Sequence, residues 1–151
     1  MPALPRHLTL QTEQDTIALA DFLAPLLEPG DVLCLSGNLG SGKTFFAAAL
    51  GRALGIPEPL DSPSFVLLKE YRAPSFPLYH LDLYRLNSTA ELMDLGILDW
   101  LEHGVTLIEW PELAAKLLPE EVLNLELRFS FDGFQRCVDI VAAGPWAAYF
   151  I

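Results

Sequence analysis

The clearest chemistry in the chain lies in one run. Gly37, Asn38, Leu39, Gly40, Ser41, Gly42, Lys43 and Thr44 spell G-x-x-x-x-G-K-[ST] in full. The glycines allow backbone dihedrals that turn successive N–H groups inward and form a cradle for an anion. A helix opening near Lys43 adds its positive end to the same place. Lys43 then reaches the β- and γ-phosphates of a nucleotide, and the Thr44 hydroxyl is placed to ligate Mg2+. Four fixed positions recur by chance on the order of once in 200 chains of this length. Context therefore carries much of the weight: an apolar run precedes the loop and an amphipathic segment follows it.

Such a loop needs an acidic partner for its metal, commonly at the end of a buried strand. Two carboxylates qualify. Val105 to Ile108 reads as a buried strand that delivers Glu109, with Trp110-Pro111 next. Leu78 to Leu81 leads to Asp82 in the same way. Alone, either could be a solvated strand end or a helix cap; the apolar run into a single carboxylate favours Glu109. By period two, His80, Asp82 and Tyr84 share one strand face. A histidine there is more often a hydrogen-bonded structural group than a direct participant. Arg85 could sense phosphate, although an ordinary surface ion pair explains it as well. Ser62-Pro63-Ser64-Phe65 reads as a proline turn, in a region where P-loop switches often carry a loop ordered by the γ-phosphate.

The elements that must hold these groups follow from periodicity. Residues 7–10 read as a strand. Thr12 reads as an N-cap with Glu13 and Asp15 in the first turn, and Ile17, Ala20, Leu23, Ala24 and Leu27 recur at helical spacing up to Pro29-Gly30. Val32 to Ser36 lacks alternation, as expected of a strand buried on both faces. A helix is expected from Lys43 to Leu54, a loop over 56–64, and strands over Phe65 to Tyr71 and Leu78 to Leu83. Ser88 to Glu91 fits a capping box opening a helix to Leu95, with Gly96 as its stop. Leu98 to Glu102 predicts a further helical turn or two. Leu123 to Phe131 alternates apolar and polar residues, Asp132-Gly133 signals a hairpin turn, and Phe134 to Ala142 returns. Alternating strands and helices that end in a hairpin predict α/β architecture: a P-loop NTPase fold with a mixed, mostly parallel sheet flanked by helices and a C-terminal antiparallel hairpin. Residues 1–151 are read as one P-loop ATPase domain.

Composition bounds the partners. Nine Lys and Arg against 20 Asp and Glu give a net charge of −11. Gripping a polyanionic backbone unaided needs clustered Lys and Arg, so direct nucleic-acid binding is disfavoured. A hydrophobic content of 52% excludes disorder. No run approaches the length of a spanning helix, and Met1 to Leu10 lacks signal-peptide organisation, so no membrane role and a cytoplasmic location are expected. Cys34 and Cys137 sit in apolar runs and read as small buried residues. The apolar tail Trp146, Tyr149, Phe150 and Ile151 is expected to dock on its own core, with a partner contact as the lesser reading.

Taken in order, these pieces resemble one family. Ser36 to Thr44 is followed by Ser62 to Leu67 with Glu70-Tyr71. Then come His80-Leu81-Asp82-Leu83-Tyr84-Arg85-Leu86, Glu91 with Gly96-Ile97, and Glu109-Trp110-Pro111-Glu112. Order and spacing resemble the bacterial tRNA threonylcarbamoyladenosine biosynthesis proteins of the TsaE (formerly YjeE) family, over roughly residues 10 to 145. The resemblance implies a small ATPase that works with TsaB- and TsaD-type proteins on tRNA, which it would meet only through those partners. It implies ATP and Mg2+ as cofactors, with Thr44 and Glu109 holding the metal and Asp82 needed for hydrolysis. It implies that Trp110 assists a nucleotide-dependent switch, that Ser62 to Phe65 form the switch-like loop, and that Arg136 lies near the nucleotide. Three departures stand out: Asn38 where an acidic residue is expected, Ser64 for Thr, and Phe45 for a second Thr.

The expected activity is slow Mg·ATP hydrolysis, with Lys43, Asp82 and Glu109 as catalytic groups. Asp82 is the first choice for orienting the attacking water, and Glu109 contributes if its metal contact runs through water. Two rivals remain at this point: a small-molecule kinase, and a non-catalytic adaptor gated by nucleotide binding alone.

Overall fold

The computed structural model describes residues 2–38, 40–61, 63, 67–130, 133 and 135–151. Its strands form one seven-stranded sheet. They are β1 (His7–Leu10), β2 (Val32–Ser36), β3 (Leu68–Arg72), β4 (Pro77–Asp82), β5 (Val105–Glu109), β6 (Leu123–Phe129) and β7 (Arg136–Ala142). The spatial order is β1-β7-β6-β2-β5-β4-β3. The inner strands β6-β2-β5-β4 run parallel, while β3 and the pair β7-β1 close the two flanks antiparallel. This is the mixed α/β sheet with a C-terminal hairpin that the patterning predicts.

Helices cover both faces, so β2 and β5 are buried along nearly their whole length. On one face α1 (Glu13–Leu23) and α2 (Lys43–Ala53) set Leu19, Leu23, Phe46 and Leu50 into a core with Leu33, Leu35, Leu107 and Leu125. On the other, α3 (Thr89–Asp94) and α4 (Ile97–Trp100) bring Leu92 and Ile97 against Val32, Cys34, Leu81 and Ile108. Buried there, the Cys34 thiol is pushed up to about 12, chiefly by desolvation. Both cysteines are free and buried, as expected of residues serving as small core groups.

Local chemistry explains most element ends. Thr12 caps α1 by accepting from the Asp15 amide, and Asp15 returns the bond to the Thr12 amide. Ser88 caps α3 through the Glu91 amide. The Glu91 carboxylate, however, accepts from the Asn87 amide at 3.2 Å, one residue before the partner of a standard capping box.

Other boundaries differ from the sequence expectation. β3 starts at Leu68 because Leu67 turns left-handed, with φ +67°; the expected strand residues Phe65 and Val66 lie outside the described residues. β4 stops at Asp82, so Tyr84 does not extend its face. The returning hairpin strand starts at Arg136, where Phe129 is its register partner; Phe131, Asp132 and Phe134 lie outside the described residues. Trp146 and Phe150 of the tail are buried in the α1–α2 core, and Phe150 bridges to Leu4. Among the described residues no helix is long and apolar enough to cross a membrane.

Candidate functional site

The glycine-rich loop joins the end of β2 to the start of α2. Its approach to β6 is close: a Cβ on Gly37 would lie 2.6 Å from Ser41 Oγ and closer still to the Leu127 backbone carbonyl. A Cβ on Gly42 would lie 3.3 Å from Arg136 Cδ. At Gly37 only glycine leaves room, whereas at Gly42 the arginine side chain could give and it is the backbone, with φ +107°, that favours glycine. No side chain caps α2, so its first-turn amides open towards the loop.

Lys43 opens α2 and is buried. Its Nζ donates to the Gly37 carbonyl at 2.5 Å and sits 3.9 Å from the centre of the Trp110 ring. Burial pushes its pKa below the ordinary lysine range, and the charges of Glu109, Asp82 and Glu112 pull it back up. Thr44, one residue on, is exposed.

Sheet register brings the two carboxylates together. Asp82 pairs with Glu109 across the parallel β4–β5 ladder. Both are buried, and by alternation they face the α2 side of the sheet with Leu78, Val105 and Leu107. Asp82 Oδ1 accepts from the Tyr84 amide at 3.0 Å. Glu109 Oε2 lies 2.8 Å from His80 Nε2, and both residues are almost fully buried. Periodicity placed His80 on this face but not against Glu109, because the contact is diagonal across two strands.

Trp110 follows Glu109 with φ +57°, a conformation costly for a bulky residue. Its amide donates to the Leu35 carbonyl at 3.3 Å. Its ring packs on Tyr84 with centroids 4.9 Å apart. Tyr84 was assigned only a place on the β4 face; its exposed ring instead backs the tryptophan that Lys43 touches.

The residues flanking positions 62 and 64–66 are tied down beside Asp82. Asp61 forms an ion pair with Lys69. The Leu67 amide donates to the Pro63 carbonyl at 2.8 Å, and the Leu67 carbonyl accepts from the Asp82 amide at 3.0 Å. Ser62, Ser64 and Phe65 lie outside the described residues, as does Leu39 of the glycine-rich loop.

Two buried polar atoms beside the loop have no partner, Ser41 Oγ and Arg136 Nε. Orphaned donors flanking a glycine cradle fit an anion. The remaining donor set, one exposed hydroxyl at Thr44 and a carboxylate at Glu109, fits Mg2+. That ion commonly takes one or two carboxylates and completes its shell with phosphate and water. Among the described residues there is no three-residue His, Cys, Asp or Glu cluster that would hold a metal by itself.

A loop of this sequence, running from an inner strand of a parallel core into a helix, defines the class: the fold is that of the P-loop NTPases. Comparison with known proteins narrows it. Residues 10–137 match the family described as Threonylcarbamoyl adenosine biosynthesis protein TsaE, and the chain belongs to that family. The TsaE protein of Bacillus subtilis is 39% identical over 132 residues, spanning 87% of this chain and 82% of that protein. That of Treponema pallidum is 40% identical over 124 residues, covering 82% and 91%. That of Rickettsia bellii is 37% identical over 138 residues, covering 91% and 96%. The crystal structure of B. subtilis YdiB superposes with a TM-score of 0.77 at 33% identity, over 95% of this chain and 87% of that one.

Proposed function

We propose that this chain binds Mg·ATP at residues 37–44 and hydrolyses it, as the ATPase that serves threonylcarbamoyladenosine modification of tRNA alongside TsaB- and TsaD-type proteins in the cytoplasm. The observation that carries the reading is the setting of Lys43: it opens the helix, its ammonium rests on the Gly37 carbonyl of the glycine-rich loop, and two adjacent buried strand-end carboxylates are near enough to act on its charge. Family membership supports the pathway.

The loop amides, Lys43 and Arg136 bind and orient the phosphates. Thr44 and Glu109 would hold Mg2+, which supplies charge neutralisation on the phosphates. Asp82, beside Glu109, orients the attacking water. Lys43 leaves the Gly37 carbonyl for the β- and γ-phosphates, which releases the Trp110 ring it covers. The net charge of −11 leaves tRNA contact to the partners.

The test is ATP turnover with the partner proteins and tRNA for Lys43→Ala, Asp82→Ala and Glu109→Ala. Each is expected to lose at least about 100-fold, the scale of a lost electrostatic or proton-transfer group. Wild-type rates in all three would sink the assignment. Labelled phosphate recovered on a metabolite would favour a kinase. Sustained modification over many turnovers with a nonhydrolysable analogue would favour a gated adaptor.

A further inference from the structure

We propose that His80 is a positioning residue that pins one oxygen of Glu109 and so leaves the other for the divalent cation. The inference rests on the Mg·ATP reading of the site.

His80 is fully buried on β4, and Glu109 ends β5. Register pairs His80 with Leu107 and Asp82 with Glu109, so the imidazole lies one same-face step behind the carboxylate. Its Nε2 is 2.8 Å from Oε2, a close contact on a rigid inner strand. Nδ1 is buried without a partner. That asymmetry selects the tautomer. A neutral imidazole carries one N–H. On Nε2 it makes a charge-assisted bond to the carboxylate and leaves only an unpaired acceptor at Nδ1. On Nδ1 it would bury an unpaired donor and set a lone pair against the carboxylate oxygen. Nε2–H therefore donates to Oε2.

The consequence is a division of labour within one carboxylate. Glutamate has three side-chain torsions, and a ligand that must meet phosphate, hydroxyl and metal together cannot wander among rotamers. Fixing Oε2 from β4 sets the plane of the carboxylate and presents Oε1 alone. Glu109 is then a one-oxygen ligand whose direction is set by a strand other than its own. Groups that orient ligands in this way typically contribute 10- to 100-fold to metal affinity.

Two polar variants separate orientation from mere burial. In His80→Gln the amide N–H reaches roughly where Nε2 stands. In His80→Asn it falls short. The probes are ADP affinity in EDTA, Mn2+ affinity of the ADP-bound protein by electron paramagnetic resonance titration, and the melting midpoint without metal. The expected result is ADP affinity in EDTA within about 2-fold of wild type for both variants. His80→Asn should loosen Mn2+ by about 10- to 100-fold, and His80→Gln should recover most of that loss. In turnover with partners, His80→Asn should need more Mg2+ yet approach the wild-type kcat at saturation. Wild-type Mn2+ affinity in His80→Asn overturns the inference, as does an equal loss in both variants. Wild-type protein that binds no ADP even with Mn2+ overturns the parent reading and this inference with it.

Discussion

Replacing Gly37 by alanine tests how the phosphate loop is held. Gly37 has φ +143°, a region L-residues rarely adopt, and its added Cβ would meet Ser41 Oγ at 2.6 Å and the Leu127 carbonyl more closely. The first neighbour can rotate away; the second is backbone of an inner-sheet strand and cannot. Backbone strain alone costs about 1–3 kcal/mol, and the backbone clash brings the expected total to about 3 kcal/mol or more. At roughly 2–4 °C per kcal/mol for a domain of this size, the melting midpoint should fall by about 6–12 °C. Gly40→Ala is the control. Gly40 has φ +81° but nothing within 4 Å of the added Cβ, so only the left-handed penalty of about 1–2 kcal/mol applies. Calorimetry gives the midpoints, and urea titration at unchanged m confirms that stability has changed. The larger Gly37→Ala loss should come with weaker nucleotide binding, because a shift at Gly37 displaces the loop whose amides would cradle the phosphates. Equal midpoints for the two variants would refute the close approach to β6.

Two further perturbations probe the scaffold. Trp146→Ala should cost about 3–5 kcal/mol and lower the midpoint by at least about 6 °C, because its ring is buried in the α1–α2 core; a shift of a degree or two would mean the tail is not docked. At Asp139, Arg128 and then His7 hold the carboxyl below its usual range. A depressed folded pKa contributes stability above the unfolded value of about 3.9 and loses it as pH falls through the folded value. Asp139→Asn should therefore melt lower than wild type at pH 7 and converge with it as pH falls below about 3.9. The gap should be small, about 0.2–1 kcal/mol, because the pair is partly exposed and screened; a gap unchanged across that range would contradict the pairing.

Much of the fold was legible because local rules agree with the burial of each element. β2 and β5 read as two-faced strands, and Thr12, Ser88 and Gly96 mark helix ends by chemistry that acts within a few residues. The glycine-rich loop was legible because its function needs residue types at fixed spacing. What escaped was diagonal or conformational. The His80–Glu109 contact spans two strands and depends on register. Leu67 and Trp110 adopt left-handed backbones that nothing in their side chains favours. Tyr84 leaves the strand its period suggested and packs on Trp110 instead. Arg136 was placed by resemblance, since its proximity to Gly42 exists only once β7 has paired beside the loop.

The pairing of β1 has a consequence for how the molecule comes into being. Among the described residues β1 pairs only with β7, and Leu4 exchanges backbone hydrogen bonds with Tyr149 and Ile151. β1 therefore finds its partner only after β7, the last of the seven strands in sequence order, has been made. It waits while β2 to β7 are made, with its edge and the α1 face it covers open to water and to other chains. Closing so long a loop adds little equilibrium cost but slows folding. The interval before β7 is in place is when this protein is most open to aggregation.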